Sequence, residues 1–172
     1  CRLRDHVNLL KKFVKISAKP PVSSVAFSAT KSGNGKTSTK TISFNADETK
    51  TIHENAQKAG SRFGPTLYLV ACCSHVIHNL NLQRNKPGDL WIPVPYDGRL
   101  RGATGPVISN SVSFLFYRVP KTELNTVPQT VKCLSHQMTE QIKDRIPQKY
   151  SMFLNMMRYA PLWLYYFLIY HT

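Results

Sequence analysis

The segment CCSHVIH, residues 72–78, brings together the side chains that a zinc ion prefers, cysteine and neutral histidine. The apolar residues around it predict a helix, on which Cys72 shares a face with His75, and His75 with His78. No Cys-x-x-Cys pair elsewhere in the sequence completes a four-ligand site. We therefore predict that the two thiols pack as small apolar groups and that the segment holds no metal.

Nucleophile and acid–base pairs are also lacking in the sequence. Cys133 and Ser135 lie beside His136, but neighbouring residues on a helix point in different directions. The acidic residues occur at a predicted helix start and along a predicted helical surface, not as a facing pair. We therefore predict no catalytic residue in this segment.

The segment SGNGKTST, residues 32–39, matches part of the phosphate-binding loop G-x-x-x-x-G-K-[ST]. Its last three positions, GKT, fit the motif, but Thr30 occupies the first position, where the motif has glycine. Such a loop also needs a helix directly after it, whereas β-prone sequence flanks this segment on both sides. Asn34-Gly35 is a turn dipeptide, so we predict a hairpin turn instead of a nucleotide site.

The composition predicts a folded, basic and intracellular chain. The 172 residues include 23 Lys and Arg against nine Asp and Glu, a formal net charge of +14 that attracts phosphate groups of any kind. The cations are scattered and not interleaved with aromatic residues, which favours a generic basic surface without a nucleic-acid partner. Four cysteines form no disulfide framework at this length and predict a reducing compartment. Because the first residue is Cys1 and not Met, we expect an excised segment of a longer protein.

Helical spacing of apolar residues predicts an amphipathic helix over residues 3–16. A second helix is predicted by Asn45, which lies three residues before Glu48 as in a capping box, and this helix ends at Gly60.

Three further stretches predict helices with more apolar surface. Residues 65–80 open at a proline and are apolar nearly all round, which predicts a buried helix. Residues 127–146 have helical spacing, and Pro147 interrupts them. The aromatic run of residues 159–170 is shorter than the roughly 20 residues needed to span a bilayer. We predict that it is a buried helix of the longer parent fold, with an interfacial membrane anchor as the alternative.

Strands are predicted over residues 22–29, 38–44, 90–96 and 107–119, which are rich in β-branched and aromatic residues. The loop between the last two holds three glycines and two arginines. Helices before, between and after these strands predict an α/β fold.

The succession ISFNADETKTIHENAQKAG, TLYLVACCSHVI, IPVPYDGRLR and ISNSVSFLFYRVP resembles the carboxy-terminal half of the CoA-dependent acyltransferase superfamily. Within it, the chain looks most like the wax ester synthase/diacylglycerol acyltransferase family, and next like the condensation domains of nonribosomal peptide synthetases. The family pattern is a strand ending in arginine, a glycine-rich loop and an asparagine before a V-S-x-L strand. Arg99 (or Arg101), residues 102–105 and residues 110–113 match that pattern, whereas Ser109 stands where the family usually has glycine.

The resemblance implies a two-layer α/β sandwich of the chloramphenicol acetyltransferase type, with a mixed, mainly antiparallel sheet and flanking helices. Residues 1–172 are then a single C-terminal domain. The superfamily's catalytic motif, His-His-x-x-x-Asp-Gly, is absent, because Ile92 and Pro93 occupy the histidine positions before Asp97-Gly98. The base that takes the acceptor's proton is therefore expected in the N-terminal half of the same chain.

The resemblance also implies roles for three residues along an active-site tunnel. Arg99 pairs with the aspartate of the catalytic motif, and Asn110 and Ser111 hydrogen-bond the pantetheine or the reacting carbonyl. Acyl-CoA is the implied co-substrate and an alcohol or diacylglycerol the acceptor, with no permanently bound cofactor. The implied partners are the N-terminal half, these substrates and a membrane surface, in an intracellular and membrane-associated enzyme.

Two alternatives remain open at the level of sequence. The first is a condensation domain with the same fold, which takes acyl groups from carrier proteins. The second is a non-catalytic basic module that binds nucleic acid or membrane through its 23 cations.

Overall fold

The computed structural model describes residues 22–23, 39–97 and 112–157, together with the isolated positions 8, 159, 161–163 and 166. The predictions for residues 3–16 (apart from Asn8, which is helical), 24–38 and 98–111 lie outside the described residues. The elements, in chain order, are α1 (Ala46–Lys58), α2 (Thr66–Gln83), β1 (Leu90–Asp97), β2 (Val112–Val119), a 3-10 turn (Lys121–Glu123), α3 (Val127–Lys143) and α4 (Ile146–Met157).

The chain divides into two compact units, and each is described by itself. Unit 1 consists of Cys1–Lys19, Ile92–Phe116 and Met138–Thr172. Unit 2 consists of Pro20–Trp91 and Tyr117–Gln137.

Helix α1 confirms the prediction made from its two ends. At its start, the Asn45 side chain accepts from the Glu48 N–H and the Glu48 carboxylate accepts from the Asn45 N–H, each at 2.8 Å. At its end, Gly60 has a φ of +84°, a left-handed conformation that glycine adopts without strain. Local chemistry alone therefore fixes both boundaries of this helix.

Helix α2 has the predicted position, but the prediction that it is buried all round is wrong. Its buried face consists of Leu67, Ala71, Ser74, His78 and Asn81. The opposite face leaves apolar side chains exposed at Leu69, Val76, Leu80 and Leu82. Two polar residues of the buried face have described partners: Ser74 donates to the Val70 carbonyl within the helix at 2.7 Å, and the Asn81 amide donates to Ser23 Oγ at 2.6 Å.

Strands β1 and β2 form a two-stranded antiparallel sheet. Val22 adds a parallel bridge at Asp89, directly before β1, in which the Ser23 N–H donates to the Asp89 carbonyl at 2.8 Å. The strand predicted over residues 38–44 is absent from its described part: residues 39–45 are irregular, and Ile42 and Phe44 are exposed. Within the described ranges no strand pairs with residues 39–45, so β-prone composition is insufficient there.

Strand β2 begins at the exposed Val112 and alternates between buried and half-buried residues from Ser113 onward. Ser113, Leu115, Tyr117 and Val119 form the buried face. In unit 1, the other face joins an aromatic cluster in which the Phe114 and Phe116 rings meet Tyr150 of α4 edge-on, with centroids 6.2 and 5.1 Å away.

Two glutamines of α3 bind the backbone of β2 through both ends of their side-chain amides. In unit 1, Gln141 accepts from the Phe116 N–H at 2.9 Å and donates to the Phe116 carbonyl at 2.8 Å. In unit 2, Gln137 accepts from the Arg118 N–H at 3.0 Å and donates to the Arg118 carbonyl at 2.7 Å. The two glutamines are four residues apart on the helix, which is about 6 Å. Phe116 and Arg118 are two residues apart on the strand, which is about 6.8 Å. The two spacings match, so each glutamine faces one strand residue.

The prediction that Pro147 interrupts a helix is wrong in its mechanism. Helix α3 ends at Lys143, Arg145 adopts a left-handed φ of +54°, and Pro147 lies buried in the first turn of α4. A proline is well tolerated there because the first N–H groups of a helix have no intrahelical acceptor.

The described fold is mixed α/β, as predicted, with the helices and the antiparallel pair given above. Within the described residues, no helix is long and apolar enough to cross a bilayer. Within residues 159–170, the described side chains of Tyr159, Leu162, Trp163 and Tyr166 are exposed in this chain, so their burial in a longer parent protein stays a prediction.

Candidate functional site

The three predicted site residues, Arg99, Asn110 and Ser111, lie in the connection of residues 98–111, outside the described residues. The strands on either side of that connection are described. Because β1 and β2 are antiparallel, Asp97 at the end of β1 and Val112 at the start of β2 lie at the same end of the sheet. Arg99 follows the first of these by two positions, and Ser111 directly precedes the second.

In unit 2, Asp89 organises a polar cluster at the start of β1. Its carboxylate accepts from Arg118 Nε at 3.1 Å and lies 3.0 Å from Arg118 Nη2. Its second oxygen accepts from the Lys121 N–H at 3.1 Å. Only 12 % of the Arg118 side chain is exposed, so this carboxylate compensates a positive charge that water solvates poorly. The cluster therefore ties the beginning of β1 to the end of β2 and to the turn that follows.

A second set of contacts attaches the end of α2 to the same place. The Asn81 amide donates to Ser23 Oγ at 2.6 Å, and Ser23 Oγ donates to the Lys86 carbonyl at 2.9 Å. The loop reaches this position because Asn85 adopts a left-handed φ of +53°, which asparagine tolerates better than most residues. These contacts are structural, and they fix the strand that leads toward the connection of residues 98–111.

The sequence did not predict the Asp89–Arg118 pair, because its members are 29 residues apart. A signal was nevertheless present: Arg118 is the one charged residue in the otherwise apolar and small strand VSFLFYRV. A charge within a strand whose alternate residues are buried needs a partner.

The Cys and His side chains that the sequence singled out do not assemble into a reactive site. His75 Nδ1 lies 3.1 Å from the Leu124 carbonyl, whereas Cys73 is exposed on another face of α2. Burial raises the pKa of the Cys133 thiol, and the negative charge of Glu123 adds to this, against a smaller opposite effect of a hydrogen bond from Gln137. A thiol of that kind stays protonated at neutral pH and is not an activated nucleophile. Among the described residues, no group of three or more His, Cys, Asp and Glu side chains is placed to hold a metal.

The exposed face of α2 carries an apolar stripe, defined by Leu69, Cys73, Val76 and Leu80, which recur at intervals of four, three and four residues. All four side chains are exposed. A row of this kind on a helix of a globular protein is a surface suited to contact with another protein segment.

No family model, curated protein or solved structure matches this chain.

Proposed function

We propose that this chain is part of an acyltransferase that moves an acyl group from a CoA thioester to the hydroxyl of an alcohol or diacylglycerol. The chain forms one wall of the active-site tunnel, in a sandwich of the chloramphenicol acetyltransferase type. The catalytic base belongs to the N-terminal half of the same protein.

The observation that carries the proposal is the antiparallel pairing of β1 and β2. The pairing anchors both ends of the connection of residues 98–111 at one end of the sheet. Arg99 enters the connection directly after β1, and Asn110 and Ser111 leave it directly before β2. The resemblance assigns Arg99, Asn110 and Ser111 to one tunnel wall. In the sequence, these residues lie within two positions of the paired ends of β1 and β2.

In the proposed reaction, the base removes the proton of the acceptor hydroxyl, and the resulting oxygen attacks the thioester carbonyl. The tetrahedral oxyanion then collapses and expels the CoA thiolate, which takes up a proton. The Asn110 amide and the Ser111 hydroxyl are donors of the type that stabilise such an oxyanion or bind pantetheine. Arg99 is a positioning residue, because its guanidinium acts by holding the aspartate of the histidine-bearing loop.

The apolar stripe of α2 gives separate support to the idea of a second half. Its four residues lie on unit 2, and their side chains are exposed. A companion lobe that packs on this stripe removes apolar surface from water, which favours association.

The test is an acyl-transfer assay of the intact protein with a long-chain acyl-CoA and a long-chain alcohol, read as CoA release and ester formation. We expect Arg99→Ala to lower kcat/KM about 10- to 100-fold, because a hydrogen bond to a charged group is worth about 1.5–3 kcal/mol. Arg62→Ala, which removes an exposed arginine from the loop before α2, is the matched control and should stay within about twofold of the parent.

The outcome that contradicts the proposal is an Arg99→Ala protein that is folded by circular dichroism and as active as the control. Transfer from a carrier-protein thioester but not from acyl-CoA supports the condensation-domain alternative instead. Failure of both donors, with nucleic-acid binding that weakens steeply with salt, supports the basic module.

A further inference from the structure

The described residues near the C-terminal end of unit 1 expose large apolar and aromatic side chains to solvent. Tyr159 is 89 %, Leu162 75 %, Trp163 68 % and Tyr166 59 % exposed. Leu162, Trp163 and Tyr166 are helical, and Tyr166 follows the other two by four and three residues, so the three side chains lie on one face. We call Leu162, Trp163 and Tyr166 the aromatic face.

The charge of the surrounding sequence has a single sign. From Arg145 to the last residue the sequence has no Asp or Glu, whereas Arg145, Lys149 and Arg158 are cationic. The whole chain carries a formal charge of +14. A surface with this balance repels a second copy of itself and attracts a negatively charged partner.

The chemistry of the aromatic face selects a bilayer among negatively charged partners. Trp and Tyr combine an apolar ring with a polar hydrogen-bonding group, and both are enriched at the boundary between lipid and water. Nucleic acid offers no comparable layer in which a leucine and two large rings are all buried. A bilayer with anionic lipid supplies both, because its acyl chains form an apolar layer and its head groups carry the negative charge.

The length of the apolar run determines how it meets the bilayer. Residues 159–170 lie between Arg158 and His171 and number twelve. Twelve residues span at most about 18 Å if all of them are helical, against about 30 Å for the hydrocarbon core. The run is therefore too short to cross a bilayer as a helix, and its length suits contact at the membrane interface.

We propose that the aromatic face docks this protein on the surface of a bilayer that contains anionic lipid. Leu162 and Trp163 enter the boundary between head groups and acyl chains, and the neighbouring cations contact the head groups. The proposal rests on these residues and not on the acyltransferase function, since docking needs neither substrate nor catalytic base.

The test measures cosedimentation of the intact protein with vesicles of phosphatidylcholine alone or of phosphatidylcholine and phosphatidylserine at 3:1, without acyl-CoA. We expect at least tenfold tighter binding to the anionic vesicles and loss of most of that gain in 0.5 M salt, because salt screens the attraction. The double substitution Leu162→Ser and Trp163→Ser should weaken binding at least tenfold. Phe63→Ser, which removes an aromatic residue of comparable exposure from unit 2, should leave it unchanged.

Three outcomes overturn the proposal: a parent protein that does not bind anionic vesicles, a double variant that binds as tightly as the parent, or an equal loss with Phe63→Ser. A parent dimer that the double substitution dissociates shows instead that a second copy covers the aromatic face. Because the double variant keeps Arg99, Asn110 and Ser111, its activity toward a water-soluble alcohol tests the acyltransferase proposal separately.

Discussion

Replacing Gln141 with alanine is expected to loosen β2 at Phe116 while leaving helix α3 intact. Alanine has the highest helix propensity, so the helix itself loses nothing. The strand loses the two hydrogen bonds, of 2.9 and 2.8 Å, that the Gln141 amide makes with the N–H and carbonyl of Phe116. At about 0.5–1.5 kcal/mol for each bond, the free energy of unfolding should fall by about 1–3 kcal/mol.

The measurement is urea denaturation followed by circular dichroism, combined with hydrogen exchange at the Phe116 amide. The matched control is Gln57→Ala, because Gln57 is an exposed glutamine of α1. Gln141→Glu provides a second variant. Its carboxylate can still accept from the Phe116 N–H, but its other oxygen is placed against the Phe116 carbonyl oxygen, and the two negative groups repel each other. We expect that protein to be no more stable than the alanine variant.

The reasoning fails if Gln141→Ala costs no more than Gln57→Ala and the Phe116 amide keeps its protection. In that case the hydrogen bonds of Gln141 form because β2 is already in place, and they do not stabilise it. An effect on stability without faster exchange at Phe116 also counts against it, because the loss then arises elsewhere.

Two further predictions concern unit 2. Asp89→Asn should lower the free energy of unfolding by about 1–3 kcal/mol, because the poorly solvated Arg118 loses its counter-charge, and adding Arg118→Met should recover part of that loss in a double-mutant cycle. Burial raises the pKa of Tyr117 to about 12. An unfolded tyrosine ionises near pH 10, so stability should fall between about pH 10 and 12 by on the order of 2 kcal/mol. Tyr117→Phe should remove this component in alkaline urea titrations, and Tyr96→Phe should not.

Features that depend on neighbouring residues in the chain could be predicted from the sequence. The capping pair of Asn45 and Glu48 and the left-handed Gly60 determine α1 almost without tertiary help. The alternation of residues in β2 likewise reflects a strand with one buried face. Both signals act over a few residues, and the sequence contains them in full.

Features that depend on distant partners could not be predicted in this way. Asn81 is buried and donates a hydrogen bond to Ser23, which lies 58 residues earlier in the chain. The buried face of α2 therefore includes polar residues, although most residues of this helix are apolar. Arg145 ends α3 in a left-handed conformation that its residue type does not favour. The roles of Arg99, Asn110 and Ser111 remain predictions of the resemblance, since these residues lie outside the described ones.

The side chains of α3 restrict how the proposed sandwich can be completed. Gln141 and Gln137 use the N–H and carbonyl groups of Phe116 and Arg118, and alternate residues of a strand direct these groups to the same edge. No further strand can pair with β2 over that length while these bonds exist.

Beside Phe116 and Arg118, growth of the sheet is therefore left to the outer edge of β1, where Val22 and Asp89 form the parallel bridge. Pro93 and Pro95 lie an even number of residues after Asp89, so their backbone groups face the same edge as those of Asp89. A proline has no N–H to donate to a neighbouring strand at this edge. A strand added there can pair fully only near the start of β1, in unit 2. A parallel neighbour beside an antiparallel pair is the beginning of a mixed sheet, as the proposed fold requires. Beside the part of β2 that Gln137 and Gln141 occupy, further strands must then join through this parallel neighbour and not through β2.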